Sequence, residues 1–270
     1  MPDFLPWLRI TAAIIVYVIF ALLALIVTSK MDIDLKKMES RTSVPILFIG
    51  AFANLCILGI ILLSLTFWDG HPLGSLGLSF LTKDFLYSAI GIGLIFFAAV
   101  IFIYLVQASG RATLTFEKPA KDQSDMIGLI GGIVTLFIVA LQEEVLYRGY
   151  ITLNLLQYSP AIIIIVTTIL FTVIHLITNR GGFYQILSWL MGGALFSYIY
   201  LITGSIWVPI LLHFATDLNN MLIFNIAGRF SFFRISPAIT KRQLAFYKIV
   251  TSLMLVAILL ALYGPSFNLM

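Results

Sequence analysis

Eight stretches of this 270-residue chain are almost wholly apolar, and each is about as long as a membrane crossing. A transmembrane helix needs roughly 20 mostly apolar residues. Runs at about 9–28, 44–67, 85–107 and 126–157 meet that requirement, as do 161–178, 184–202, 206–225 and 244–263. A soluble domain carries about 25% charged residues and must cover its core with polar surface. Here 61% of residues are hydrophobic and only 10% are charged, with a mean hydropathy of +1.07. Lipid is therefore the expected solvent, and the expected fold is an all-α polytopic membrane bundle of about eight helices in one domain, residues 1–270. The first run is too long for the core of a signal peptide and is read as an uncleaved span.

The net charge of +4 does not indicate nucleic acid, because the basic residues sit in short loops and no aromatic-interleaved basic patch occurs. Lys30, Lys36, Lys37 and Arg41 follow the first run, and Arg111, Lys118 and Lys121 follow the third. Arg180 follows the fifth, and Arg229, Arg234, Lys241 and Arg242 follow the seventh. The intervening loops have almost none. The positive-inside rule puts these four loops in the cytoplasm of a multi-pass cell-membrane protein, with both termini outside. The single Cys56 allows neither an internal disulfide nor a cysteine metal framework.

The fourth run is anomalous. It begins apolar, then meets Gln142, Glu143, Glu144 and Arg148 before continuing to Gln157. One helix running to that point and turning at Tyr158–Ser159–Pro160 would set Glu144 and His175 about 16 and 15 residues either side of the turn. At 1.5 Å per residue both lie roughly 20 Å from it, inside the hydrocarbon layer. A charge there costs roughly 2.5–3.5 kcal/mol or more. Arg148 is four residues from Glu144, the spacing at which helical side chains meet, so the two form an expected ion pair and Glu143 is left for another task. The bland alternative is a surface helix end beginning at Gln142.

His175 lies four residues after Phe171, and His213 four before Asp217. Taken singly, each has a structural reading: a satisfied histidine, a packed phenylalanine, an interhelical clasp. Asp217 could fix the tautomer of His213, or both could hold one ion. Together, two Glu, two His, one Asp and one Arg, almost confined to the fourth, fifth and seventh runs, suit one buried acid–base or metal site. No GxSxG, HExxH or P-loop occurs.

Glu143-Glu144-Val-Leu-Tyr-Arg148-Gly149, Phe171-Thr-Val-Ile-His175 and His213-Phe-Ala-Thr-Asp217, in that order on membrane runs, resemble the CPBP family. These are the CAAX-protease and bacteriocin-processing (Abi) intramembrane proteins, which include the Ras-converting-enzyme type of CAAX prenyl endopeptidase. The likeness covers about residues 126–222, the expected catalytic core, and extends to Thr203–His213. It implies an eight-helix endopeptidase acting on membrane-associated peptides. By position, Glu143 and His175 would activate water, His213 and Asp217 would stabilise the oxyanion, and Glu144 and Arg148 would brace the site beside Phe171. Where the CAAX type has Asn, this chain has Asp217, and an ionised Asp cannot donate to an oxyanion.

The chemistry has two routes at this stage. A glutamate can take a proton from water and return it to the leaving amine. Alternatively, Glu143, His175 and His213 could hold a zinc ion with one open position. Two other function classes use the same residues: a non-catalytic bacteriocin-immunity or scaffold protein, and an ion-coupled carrier. No inverted repeat supports the carrier.

Overall fold

The computed structural model describes residues 4–31, 43–178, 182–224 and 230–267. Lys36, Lys37, Arg41, Arg180 and Arg229, which contribute to the loop charge count, lie outside the described residues. Among the described residues, eight helices make up the body. They are α1 (Leu5–Ser29), α2 (Val44–Trp68, its last turn π-wound), α3 (Thr82–Ala108), α4 (Gln123–Asn154), α5 (Pro160–Thr178), α6 (Phe183–Thr203), α7 (Trp207–Leu222) and α8 (Lys241–Tyr263). Two short strands, β1 (Thr113–Phe116) and β2 (Phe233–Ser236), pair antiparallel, with Thr113 opposite Ser236.

Seven of these helices are long and apolar enough to cross a bilayer. The exception is α7, with 16 residues, the shortest of the eight expected spans. It nevertheless crosses. β1 precedes α4 and β2 follows α7, so their pairing puts both on one side, which requires an even number of crossings between them. With α4, α5 and α6 each spanning, α7 must span too. The opposite end agrees: the α6–α7 turn is tied to the α2–α3 loop by Ile206 N–H to Gly77 O, Ser205 Oγ to Ser79 O and Trp207 Nε1 to Leu78 O. Gly77 has φ +70°, and a Cβ there would run into the carbonyl oxygen of Gly204, so this junction needs glycine.

The solvent logic is inverted relative to a soluble bundle. Large apolar side chains such as Phe48, Phe97 and Leu253 point outward towards lipid. The interior instead holds an unbroken buried stretch from Gln142 to Leu155 that includes Glu143, Glu144 and Arg148. Polar groups at that depth must find partners within the protein.

Candidate active site

The fourth apolar run does continue through the charged residues. α4 is α-helical to Glu144, π-wound over Val145–Ile151 and α-helical again to Asn154. It ends three residues short of the expected Gln157, and α5 opens at Pro160, one residue before the expected start of the fifth run. The wider π turn, a form often found at functional sites, starts directly after the glutamates.

Glu144 and Arg148 form the expected pair, Nη1 donating to Oε1 at 2.9 Å with both side chains fully buried. Arg148 Nη2 also donates to the carbonyl of Gly193 at 3.0 Å, and its guanidinium lies 4.9 Å from the ring centroid of Phe171. Gly193 also lets α6 pack closely on α5: a Cβ there would come within 3.1 Å of Thr168. Phe171 is thus both core and site wall, 4% exposed, with its ring 4.2 Å from that of His175.

The pairing across the α4–α5 hairpin differs in one respect from the depth count. Glu143, not Glu144, faces His175, with Oε2 3.9 Å from Nε2. Glu144 turns instead to His213 on α7, whose Nδ1 lies 2.7 Å from Oε1. The 100° between adjacent helix positions separates the two roles. An ion-paired carboxylate only accepts, so Nδ1 of His213 carries a hydrogen and donates it. Glu144 therefore fixes this ring, the task considered for Asp217. Asp217 lies on the other nitrogen, with Oδ2 3.4 Å from Nε2. Nδ1 of His175 lies 2.8 Å from the carbonyl of Phe171, again an acceptor only, so Nδ1 is the donor.

All seven residues singled out in the sequence therefore meet at one place. Glu143 Oε2 also lies 3.9 Å from Nε2 of His213, and it is buried without a hydrogen-bond partner among the described residues. A neutral His213 protonated on Nδ1 would present a lone pair to Glu143 and Asp217, so at least one further proton must be shared there. The side chains grade from buried to open: Glu144 is 0% exposed, Glu143 7% and His213 9%, against 18% for His175 and 28% for Asp217.

The donor set is chemically suitable for zinc, but its spacing is not. Tetrahedral zinc with bonds of about 2.0–2.1 Å holds ligand atoms about 3.3–3.4 Å apart. The 3.9 Å separations from Glu143 to both imidazoles are wider, and no group of three such residues among those described has metal-holding geometry. A water bonded at about 2.8 Å to two atoms bridges that gap at an angle of roughly 90°.

Sequence reasoning missed several residues. Phe196 stacks on His213, with centroids 5.3 Å apart and an interplanar angle of 20°, and Trp189 lies 5.4 Å from the His175 ring. Both sit on α6, which carries no charge to draw attention. Lys248 breaks the near-confinement of charge to three runs. It is on α8, half-buried, and interacts electrostatically with Asp217. Its position four residues after the start of the 244–263 apolar run was the available signal. On α7, Asn219 donates to Tyr247 Oη on α8 at 3.0 Å.

No curated protein and no solved structure matches the chain. One family does: residues 126–219 match the family described as Rce1-like, type II CAAX prenyl endopeptidase. The match begins in α4 and ends in α7, so it takes in every residue of the cluster. It is a family of membrane proteases whose substrates are peptides. This integral, multi-pass membrane protein is thus similar, over residues 126–219, to the Rce1-like family of type II CAAX prenyl endopeptidases.

Proposed function

We propose that the protein is an intramembrane endopeptidase in which Glu143 activates water directly and residues 126–222 form the catalytic core. The observation that carries this reading is the convergence of Glu143 Oε2 with Nε2 of both His175 and His213 at 3.9 Å. That spacing suits a water held between carboxylate and imidazole.

In the proposed reaction, Glu143 takes a proton from the water as its oxygen attacks the scissile carbonyl, and His175 orients that water. The oxyanion is met by the N–H at Nε2 of His213. Glu144 holds the ring from Nδ1, and Asp217 supplies an acceptor that keeps a hydrogen on Nε2 between turnovers. Asp217 therefore need not donate to the oxyanion, which accommodates its replacement of the Asn of the CAAX type. Glu143 returns its proton to the leaving nitrogen as the C–N bond breaks. Phe171 and Arg148 brace the arrangement and do not touch substrate. The wide donor spacing is why no step passes through a metal.

The proposed approach of substrate is from the positively charged side. His175 is three residues from the end of α5 and Asp217 five from the end of α7, about 5 and 8 Å of helix rise. Both ends lead towards the side of Lys118, Lys121 and Lys241. That side is cytoplasmic by charge, so a membrane-anchored peptide presented there would reach the site without crossing the bilayer.

The test is cleavage by purified protein in liposomes of membrane-anchored peptides, including lipidated C-terminal ones. Wild type should cleave, while Glu143→Ala and Glu143→Gln should not. Retained cleavage by either variant would overturn the mechanism.

A further inference from the structure

A cavity lies away from the candidate active site, between the end of α3, the residues flanking the β1–β2 pair and the start of α8. Its volume is about 1110 Å³, above the range of about 300–1,000 Å³ usual for small-molecule pockets. Phe102, Leu105, Val106, Ile239 and Phe246 form an apolar wall. Phe102 lies six residues before the end of α3, about 9 Å deeper than Ala108. The cavity therefore runs from the helix ends into acyl-chain depth. Leu105 and Phe246 are 58% and 61% exposed within it, towards lipid.

The mouth has the opposite character. Arg111 follows the left-handed Gly110 that ends α3, and Arg242 sits in the first turn of α8. Both line the cavity, along with Ser109, Thr240 and Gln243, and among the described residues no acidic side chain does. The nearby Arg234 is paired with Glu117 at 2.9 Å. Neither Arg111 nor Arg242 has a carboxylate within ion-pair distance among the described residues.

Two unneutralised guanidiniums above an apolar trough at a helix-end boundary complement one ligand chemistry: an anion carrying an acyl chain. Basic pockets between membrane helices on the cytoplasmic side hold acidic headgroups by this logic. The geometry points to a binding site for one anionic phospholipid, with its phosphate between Arg111 and Arg242 and an acyl chain along Leu105 and Phe246. This site is independent of the proposed peptidase reaction.

The experiment uses the full chain in nanodiscs of equal phosphatidylglycerol and phosphatidylcholine, followed by native mass spectrometry of retained lipid. Wild type should keep phosphatidylglycerol in preference to phosphatidylcholine. At on the order of fivefold per basic contact, Arg111→Gln/Arg242→Gln should lower that preference by about 25-fold, and Arg111→Lys/Arg242→Lys should keep most of it. Both arginines are exposed, so folding should survive. Lys118→Gln/Lys121→Gln removes the same charge elsewhere on that side and should leave the preference intact. Equal retention of the two lipids by wild type would overturn the site, as would an equal loss in the lysine variant. Displacement of the lipid by chain-free glycerophosphoglycerol at similar concentration would overturn the lipid assignment.

Discussion

Arg148→Met should be among the most destabilising single changes in this protein. The guanidinium has no exposed surface and is held by Glu144, the Gly193 carbonyl and the Phe171 ring. Its removal leaves Glu144 ionised and fully buried, with only the His213 N–H as a partner. Breaking one side of a buried pair costs about 3–5 kcal/mol, because an uncompensated charge remains. Glu144→Gln should cost a similar amount, since it strands the guanidinium while keeping an acceptor for His213. The double variant Glu144→Gln/Arg148→Met carries neither charge. The Gly193 carbonyl stays satisfied in it, because Ser197 Oγ also donates there at 2.9 Å. The double variant should recover at least about 2 kcal/mol relative to the sum of the singles, a coupling within the range seen for contacting residues. The assay is unfolding of the purified protein in mixed micelles, followed by helicity and by tryptophan fluorescence. Additivity within about 0.5 kcal/mol, or a cost below about 1 kcal/mol for Arg148→Met, would refute the account of the pair as mutually dependent.

His175→Ala and His213→Ala should each lower cleavage by about 10²–10⁴-fold with helicity unchanged, the usual scale for lost acid–base or oxyanion help; full activity in either would remove that histidine from the mechanism. Zinc chelators should change cleavage by less than about two-fold, since the donor atoms stand wider than the roughly 3.3–3.4 Å of a tetrahedral site; a loss reversed by added zinc would contradict this. Lys248→Met should slow cleavage roughly ten-fold, the scale of one poorly screened charge interaction, while Lys248→Arg should not; equal rates for both would leave Lys248 without a part at Asp217. Gly193→Ala should cost about 1–3 kcal/mol, because its Cβ meets Thr168 at 3.1 Å and α5 and α6 must part; an unchanged unfolding transition would mean the helices already have slack.

The fold class was legible because lipid imposes a rule that hydropathy reads directly: a span must be long, apolar and internally hydrogen-bonded. Even the exception follows the rule loosely, since the 16-residue α7 is the amphipathic helix that faces a polar centre rather than lipid. The cluster was legible for the converse reason. A charge at membrane depth is so costly that each such residue marks a partner. Glu144–Arg148 could be named from the i,i+4 spacing alone, and the geometry agrees at 2.9 Å. Residues that cost nothing in lipid leave no such mark, and Phe196 and Trp189 emerge only where their rings meet the histidines.

The sequence by itself determined that this chain spans a membrane and that its buried charges lie mainly on α4, α5 and α7, because solvent and helical periodicity act on residues one at a time. Which carboxylate meets which histidine was decided by tertiary structure. Depth counting is blind to rotation about the helix axis, and a single residue step turns a side chain by about 100°. That step assigns His175 to Glu143 and gives the ring of His213 to Glu144. The separations of 3.9 Å between Glu143 and the two imidazoles are likewise set by how α4, α5 and α7 pack, a property no single helix possesses.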